Sequence, residues 1–241
     1  MKKPENKSLL EGTSPTEADA QLRELIYSYV MNETHPERHG VIRRLYELWD
    51  ERNAEHFGGL MTVPLILLDE PGQTRCYGQC STVSGFGCSS QIQLRPSILD
   101  GTLRDLRRGT KDPEGLRRFL EDVLLHEMIH QWQQEVTGEH DTSYSGHGPA
   151  FSYKANEIGE KLSLPGVGRT CKKRDQKGGE KSPSQWPHNV RPDGYYHGAY
   201  VPSSMDKEEN RHRRGVFVPI DILREYLSAR QVEELCQRLK A

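Results

Sequence analysis

One stretch constrains this chain more than any other. After Asp112-Pro113 come Leu116, Phe119, Leu120, Val123, Leu124 and Ile129 at helical spacing, and Gly138 closes the run. A capping residue with proline in the first turn opens a helix, and glycine ends one. Inside this helix lies His126-Glu127-Met128-Ile129-His130. Residues four apart share a helix face, one turn of about 5.4 Å from each other, so the two imidazoles can meet a single metal ion. Glu127 then reaches a water on the metal rather than the metal itself. That is the position of the general base in a zinc hydrolase, and Glu127 is the candidate catalytic residue.

A catalytic zinc needs a third protein ligand and an open position. Gly146-His147-Gly148 offers His147 in a turn where flanking glycines permit close backbone approach, and Pro149 starts a new helix directly after it. Glu157, on that next helix, is the competing ligand, with His140 and Asp141 as further candidates. The expected cofactor is one catalytic Zn2+ held by His126, His130 and His147.

The rest of the chain supports a compact α+β unit. Residues 1–13 read as a flexible tail. Ser14-Pro15-Thr16-Glu17 reads as a capping box before a helix to about Met31, with a stripe of Leu22, Leu25, Ile26, Tyr29 and Val30. A second helix runs from near Pro36 to Gly58-Gly59. An apolar strand is expected over 62–68, followed by strands at 74–80 and 88–94 joined by the glycine-rich STVSGFG stretch. Residues 88–94 are the candidate edge strand for a bound peptide. Tyr77, Tyr144 and His140 are candidate hydrogen-bond donors to the reacting group. A fourth helix follows from Pro149 to about Leu162. Residues 166–241 read as a basic linker and a C-terminal extension of unassigned role.

Composition narrows the classes. The chain has 241 residues, enough for one domain with extensions. A formal charge of −2 means that any nucleic-acid contact must come from local basic patches. Two such patches occur. Arg104, Arg107, Arg108, Lys111, Arg117 and Arg118 lead into the central helix, and Arg169, Lys172, Lys173, Arg174, Lys177 and Lys181 lie beyond residue 166. Arg107, Arg108, Lys172, Lys173 and Arg174 are the candidate DNA contacts, against the plainer reading of a solvated surface. Cys76, Cys80, Cys88, Cys171 and Cys236 form no C-x-x-C pair, and their odd number argues against a disulfide framework. The first residues lack the apolar core of a secretory signal, and no run approaches the roughly 18 apolar residues of a membrane span. No membrane partner is expected, and the expected compartment is the cytoplasm.

HEMIHQW followed by GHGPAF resembles the SprT/Spartan-like family of zinc metalloproteases, as do LYELWDERNAEHFGG before an apolar strand and Tyr77-Gly78. The similarity spans about residues 20–165. It implies a zincin-like α+β domain over residues 14–165, helices packed on a small antiparallel sheet, and Phe151 packed behind the third ligand. It further implies a metalloendopeptidase acting on protein substrates that are bound or crosslinked to DNA, with single-stranded DNA as a partner. A DNA-associated adaptor with a structural zinc site and a regulatory peptidase with no DNA link are the alternatives.

Overall fold

The computed structural model describes residues 15–71, 76–85, 88–99, 112–168 and 182–197, and these form an α+β arrangement. Helix α1 spans Pro15–Glu33, and a single 3-10 turn at Pro36–Arg38 leads into α2, His39–Phe57. Ser14 lies outside the described residues. The inward stripe of α1 is narrower than its spacing suggests: Ile26 and Val30 are fully buried, whereas Leu25 is 61% exposed and Tyr29 is also exposed. Helix α2 buries Ile42, Leu45, Tyr46, Leu48 and Trp49 and stops at Gly58, whose φ of 68° suits a residue without Cβ. Asn53 then clamps the return of the chain, bonding Met61 through both its backbone groups at 3.1 and 3.4 Å.

Three strands follow: β1 at Leu65–Leu68, β2 at Gly78–Gly85 and β3 at Cys88–Leu94. The sheet order is β1-β3-β2, with β1 parallel and β2 antiparallel to β3. The sheet is therefore mixed, not antiparallel as expected. Much of the glycine-rich stretch belongs to β2 itself. Strand β3, the expected peptide-binding edge, lies in the centre with both sides paired, so its backbone groups are taken up by the ladder. The outer side of β1 is closed by Tyr46, whose hydroxyl donates to the Pro64 carbonyl and accepts from the Ile66 amide, each at 3.1 Å. Among the described residues, the unpaired strand edge next to the functional helix is that of β2.

That helix, α3, runs Pro113–Trp132, with the Asp112 carboxylate accepting from the Gly115 amide at 2.7 Å. Its middle is enclosed on nearly every side: Phe119, Leu120 and the unbroken run Asp122–Ile129 are all buried. Strands β2 and β3 cover one side, and α2 and α4 (Pro149–Lys161) cover others. After Trp132 the helix widens into a π turn, Gln133–Thr137, before Gly138 ends it at φ 70°. Behind α3, Gln131 accepts from the Trp49 indole at 2.9 Å and donates to the Thr62 carbonyl at 2.7 Å, tying α2 to the approach of β1.

Residues 182–197, read from sequence as part of a linker and extension, pack against α3. Trp186 is fully buried there. Arg191 forms a two-pronged ion pair with the buried Asp122, and Tyr196 donates to the same carboxylate at 2.6 Å. Arg118 donates to the Tyr195 carbonyl at 2.9 Å. A strap of chain is thus stapled across the first half of α3. Among the described residues no helix is long and apolar enough to cross a membrane.

Removing one member of a buried ion pair strands the other, at a cost of about 3 kcal/mol. Arg191→Met should therefore lower unfolding free energy in urea by about that amount. A loss well under about 1 kcal/mol would mean that the strap is not held by this pair.

Candidate metal centre

Helical spacing places His126 and His130 on one face of α3, and the loop before α4 brings His147 to them. Two of the separations are given by His126 Nε2–His147 Nε2 at 3.0 Å and His130 Nε2–His147 Nε2 at 3.2 Å. These three are the only group of metal-ligating side chains of that size found among the described residues. Zinc–nitrogen bonds of about 2.0–2.1 Å put tetrahedral ligands about 3.3 Å apart, close to the spacing seen.

The protonation pattern decides what these nitrogens can do. His126 Nδ1 lies 2.6 Å from the Trp186 carbonyl, which can only accept, so that ring carries its proton on Nδ1. His130 Nδ1 faces Gln133 Oε1 at 2.9 Å, and His147 has a backbone hydrogen bond with Ser145. With Nδ1 protonated, the Nε2 atoms of His126 and His130 present bare lone pairs toward His147 Nε2. Such close nitrogens repel one another unless a cation lies between them, which is the chemistry of a metal site. Phe151, fully buried, backs all three rings at centroid distances of 4.8, 4.8 and 5.0 Å, where the family resemblance implies it.

Burial keeps the imidazoles neutral, as ligands must be. It pushes His126 well below the usual histidine range, with the neighbouring His147 and His130 adding to the effect. Burial lowers His130 to about 3 and His147 to about 4. Glu127 is buried beside them, and desolvation raises its carboxyl to about 8, opposed by a hydrogen bond from the Cys80 backbone. Strand β2 comes this close only because residue 78 is glycine. A Cβ there would lie 2.8 Å from Glu127 Oε1 and 2.9 Å from Val123 Cγ1.

The other candidates fall elsewhere. Glu157 pairs with Lys154 at 3.0 Å, outside the histidine cluster. His140 is exposed, and it lines an open pocket of about 440 Å³ with Leu60, Thr62, Thr82, Ser89, Gln134 and Glu135. Asp141 is buried behind the ligands rather than among them. Tyr77 stacks edge-on with Phe119 and His188, and Tyr144 packs beside Gly148. Arg107, Arg108, Lys172, Lys173 and Arg174 lie outside the described residues. Arg117 and Arg118, from the first basic cluster, are engaged with Glu114, Glu121 and Tyr195. Among the described residues, Cys76 and Cys80 take part in no disulfide. Sequence reasoning missed Trp186, whose role is carried by a main-chain carbonyl 60 residues from its partner. It also missed Gln133 and the Cys80 amide, which no spacing rule marks.

These shifts set a sign for metal-free stability. Unfolded histidine takes up a proton near pH 6.5, but the folded rings resist until about 4 or below. Between those limits the unfolded chain binds more protons, so stability falls as pH falls. Glu127 acts oppositely, one group against three, because its folded carboxyl holds a proton over the same window. The Tm of metal-free protein should therefore drop from pH 6.5 to pH 4.5, and more steeply in Glu127→Gln. A flat profile in both would show that the rings are not held neutral.

No curated protein and no solved structure gives a significant match to the chain. The model of the SprT-like family matches residues 113–173, a segment that contains α3, the Gly146-His147-Gly148 turn and α4. The paired histidine motifs and the cluster that they form lie wholly inside that match, so in this segment the chain is similar to the SprT-like family.

Proposed function

We propose that this protein is a zinc-dependent endopeptidase of zincin-like fold whose substrates are proteins held on DNA. The observation that carries the reading is the convergence of three neutral imidazoles beside a buried carboxylate and the outer edge of β2. Zinc on those nitrogens supplies a Lewis acid that lowers the pKa of a water toward about 7 and polarises a carbonyl.

The chain's own groups do the rest. With a cation on the imidazoles the ionised form of Glu127 is favoured, and it then takes the proton of the attacking water and returns it to the departing amine. The Cys80 amide fixes that carboxylate by a backbone hydrogen bond. Because the Cys80 N–H is turned to Glu127, the outer edge of β2 runs past the reacting centre, where an extended peptide adds as a further strand. The role first expected for 88–94 thereby moves to its neighbour in the sheet. A structural zinc would ordinarily have four protein ligands, and among the described residues no fourth ligating side chain joins the three histidines. That favours an enzyme over an adaptor. The DNA-linked substrate rests on the family resemblance and on the basic residues at 104–111 and 169–181.

His147→Ala should strip zinc from the protein, measured by metal analysis after dialysis. Glu127→Gln should keep zinc and lose cleavage of a basic DNA-binding protein by at least about 100-fold. Full zinc content in the first variant removes His147 from the ligand set, and wild-type activity in the second removes Glu127 as the base. Adding single-stranded DNA should raise the wild-type rate, and neutralising Lys172, Lys173 and Arg174 should abolish that rise. Cleavage indifferent to DNA would leave the peptidase without its DNA-linked substrate.

A further inference from the structure

Two of the three imidazoles are governed by one carboxylate that touches no ligand position. Gln133, 2% exposed, opens the π turn directly after the second histidine. Its Oε1 lies 2.9 Å from His130 Nδ1, and its Nε2 donates to Asp141 Oδ2 at 2.9 Å. An ionised carboxylate can only accept, so the amide NH2 of Gln133 must face Asp141. The amide oxygen then faces His130, and that ring must place its proton on Nδ1 and its lone pair on Nε2.

Asp141 also shapes the loop that carries the third imidazole. It is buried and sits at φ 44°, a left-handed conformation that few residues other than glycine, asparagine and aspartate adopt readily. Its carbonyl accepts from the Tyr144 amide at 2.8 Å and the Gly146 amide at 3.1 Å. Its carboxylate accepts from the Phe151 amide at 3.1 Å through Oδ2 and lies close to the backbone of Gly148 and Ala150. Asp141 therefore grips the chain on both sides of His147 and caps α4 with a negative charge, which suits a helix N-terminus. Gly148 is glycine for the same reason: a Cβ there would stand 2.5 Å from Asp141 Oδ1.

We propose that Gln133 and Asp141 are positioning residues of the metal centre, a relay that fixes the His130 tautomer and the His147 loop together. The proposal rests on the metal-centre reading above and adds to it the residues that set metal affinity from outside the ligand shell. Outer partners of metal-bound histidine typically govern affinity by about 10- to 100-fold.

The hydrogen-bond polarity gives a test that a purely structural role would not pass. Gln133→Leu removes the acceptor on His130 and should weaken zinc binding by about 10- to 100-fold in chelator competition. Asp141→Asn offers an NH2 where Gln133 needs an acceptor, so the amide turns over and drives the His130 proton to Nε2. Its loss should be at least as large. Combining Asp141→Asn with Gln133→Glu exchanges acid and amide and restores an acceptor to His130 Nδ1, so zinc affinity and the visible absorption of bound Co2+ should recover toward wild type. The Tm of each metal-free variant separates folding damage from weakened ligation. Zinc affinity of Gln133→Leu within about threefold of wild type, or additive losses in the double variant, would overturn the relay. Wild-type protein that fails to bind zinc would instead overturn the metal reading on which it stands.

Discussion

Three imidazoles gathered in a desolvated pocket, with the Nε2 lone pairs of two of them turned to within 3.0 and 3.2 Å of the third ring's Nε2, are an arrangement that no polypeptide adopts by default. Left alone, such rings would rotate, share a proton or admit water. They are held because Nδ1 of His126 and of His130 is committed elsewhere, to the Trp186 carbonyl and the Gln133 amide oxygen, and because His147 is hydrogen-bonded to the backbone at Ser145. The acceptors come from three separate parts of the fold: a strap, a π turn and a loop. Much of the surrounding architecture can be read as the means of delivering those three acceptors to one place.

The burial of α3 follows from that demand. A helix that carries two clustered imidazoles, a buried carboxyl and their supports leaves little of its surface to solvent, and it is enclosed by sheet, helices and strap together. The close approach of β2 at Gly78 lets a backbone amide, rather than a side chain, hold Glu127. On the far side, Trp49, Gln131 and Thr62 connect the helix to α2 and to the start of β1. The strap adds the Asp122–Arg191 pair, with the Arg191 guanidinium stacked 4.4 Å over Tyr195.

What the sequence made legible was what local spacing encodes. The i, i+4 histidines, the proline and glycine that bracket α3, and the glycines around His147 all act within a turn or two, so their pattern survives in one dimension. What it concealed depends on partners far apart. The mixed sheet arises because β1 pairs with β3 across the intervening β2, and alternation of side chains does not reveal strand order. Leu25 and Tyr29 extend the apolar stripe of α1 without reaching the core, since periodicity gives a face but not its width. Asp141 was visible as a potential ligand, but only geometry places its carboxylate one layer back. Trp186 could not be found at all by side-chain chemistry, because the atom that matters belongs to the backbone.

The sixty residues between His126 and the Trp186 carbonyl also impose an order in time. A ribosome adding about 5–20 residues per second needs on the order of 3 to 12 seconds to cover that distance. Throughout that interval the emerging helix carries both of its histidines while the acceptor for the first has yet to be made. The ring of His126 is then at liberty to exchange tautomers, and the pocket lacks a wall. The proposed metal centre therefore gains its full set of supports late in biosynthesis, only after the strap has been translated and docked.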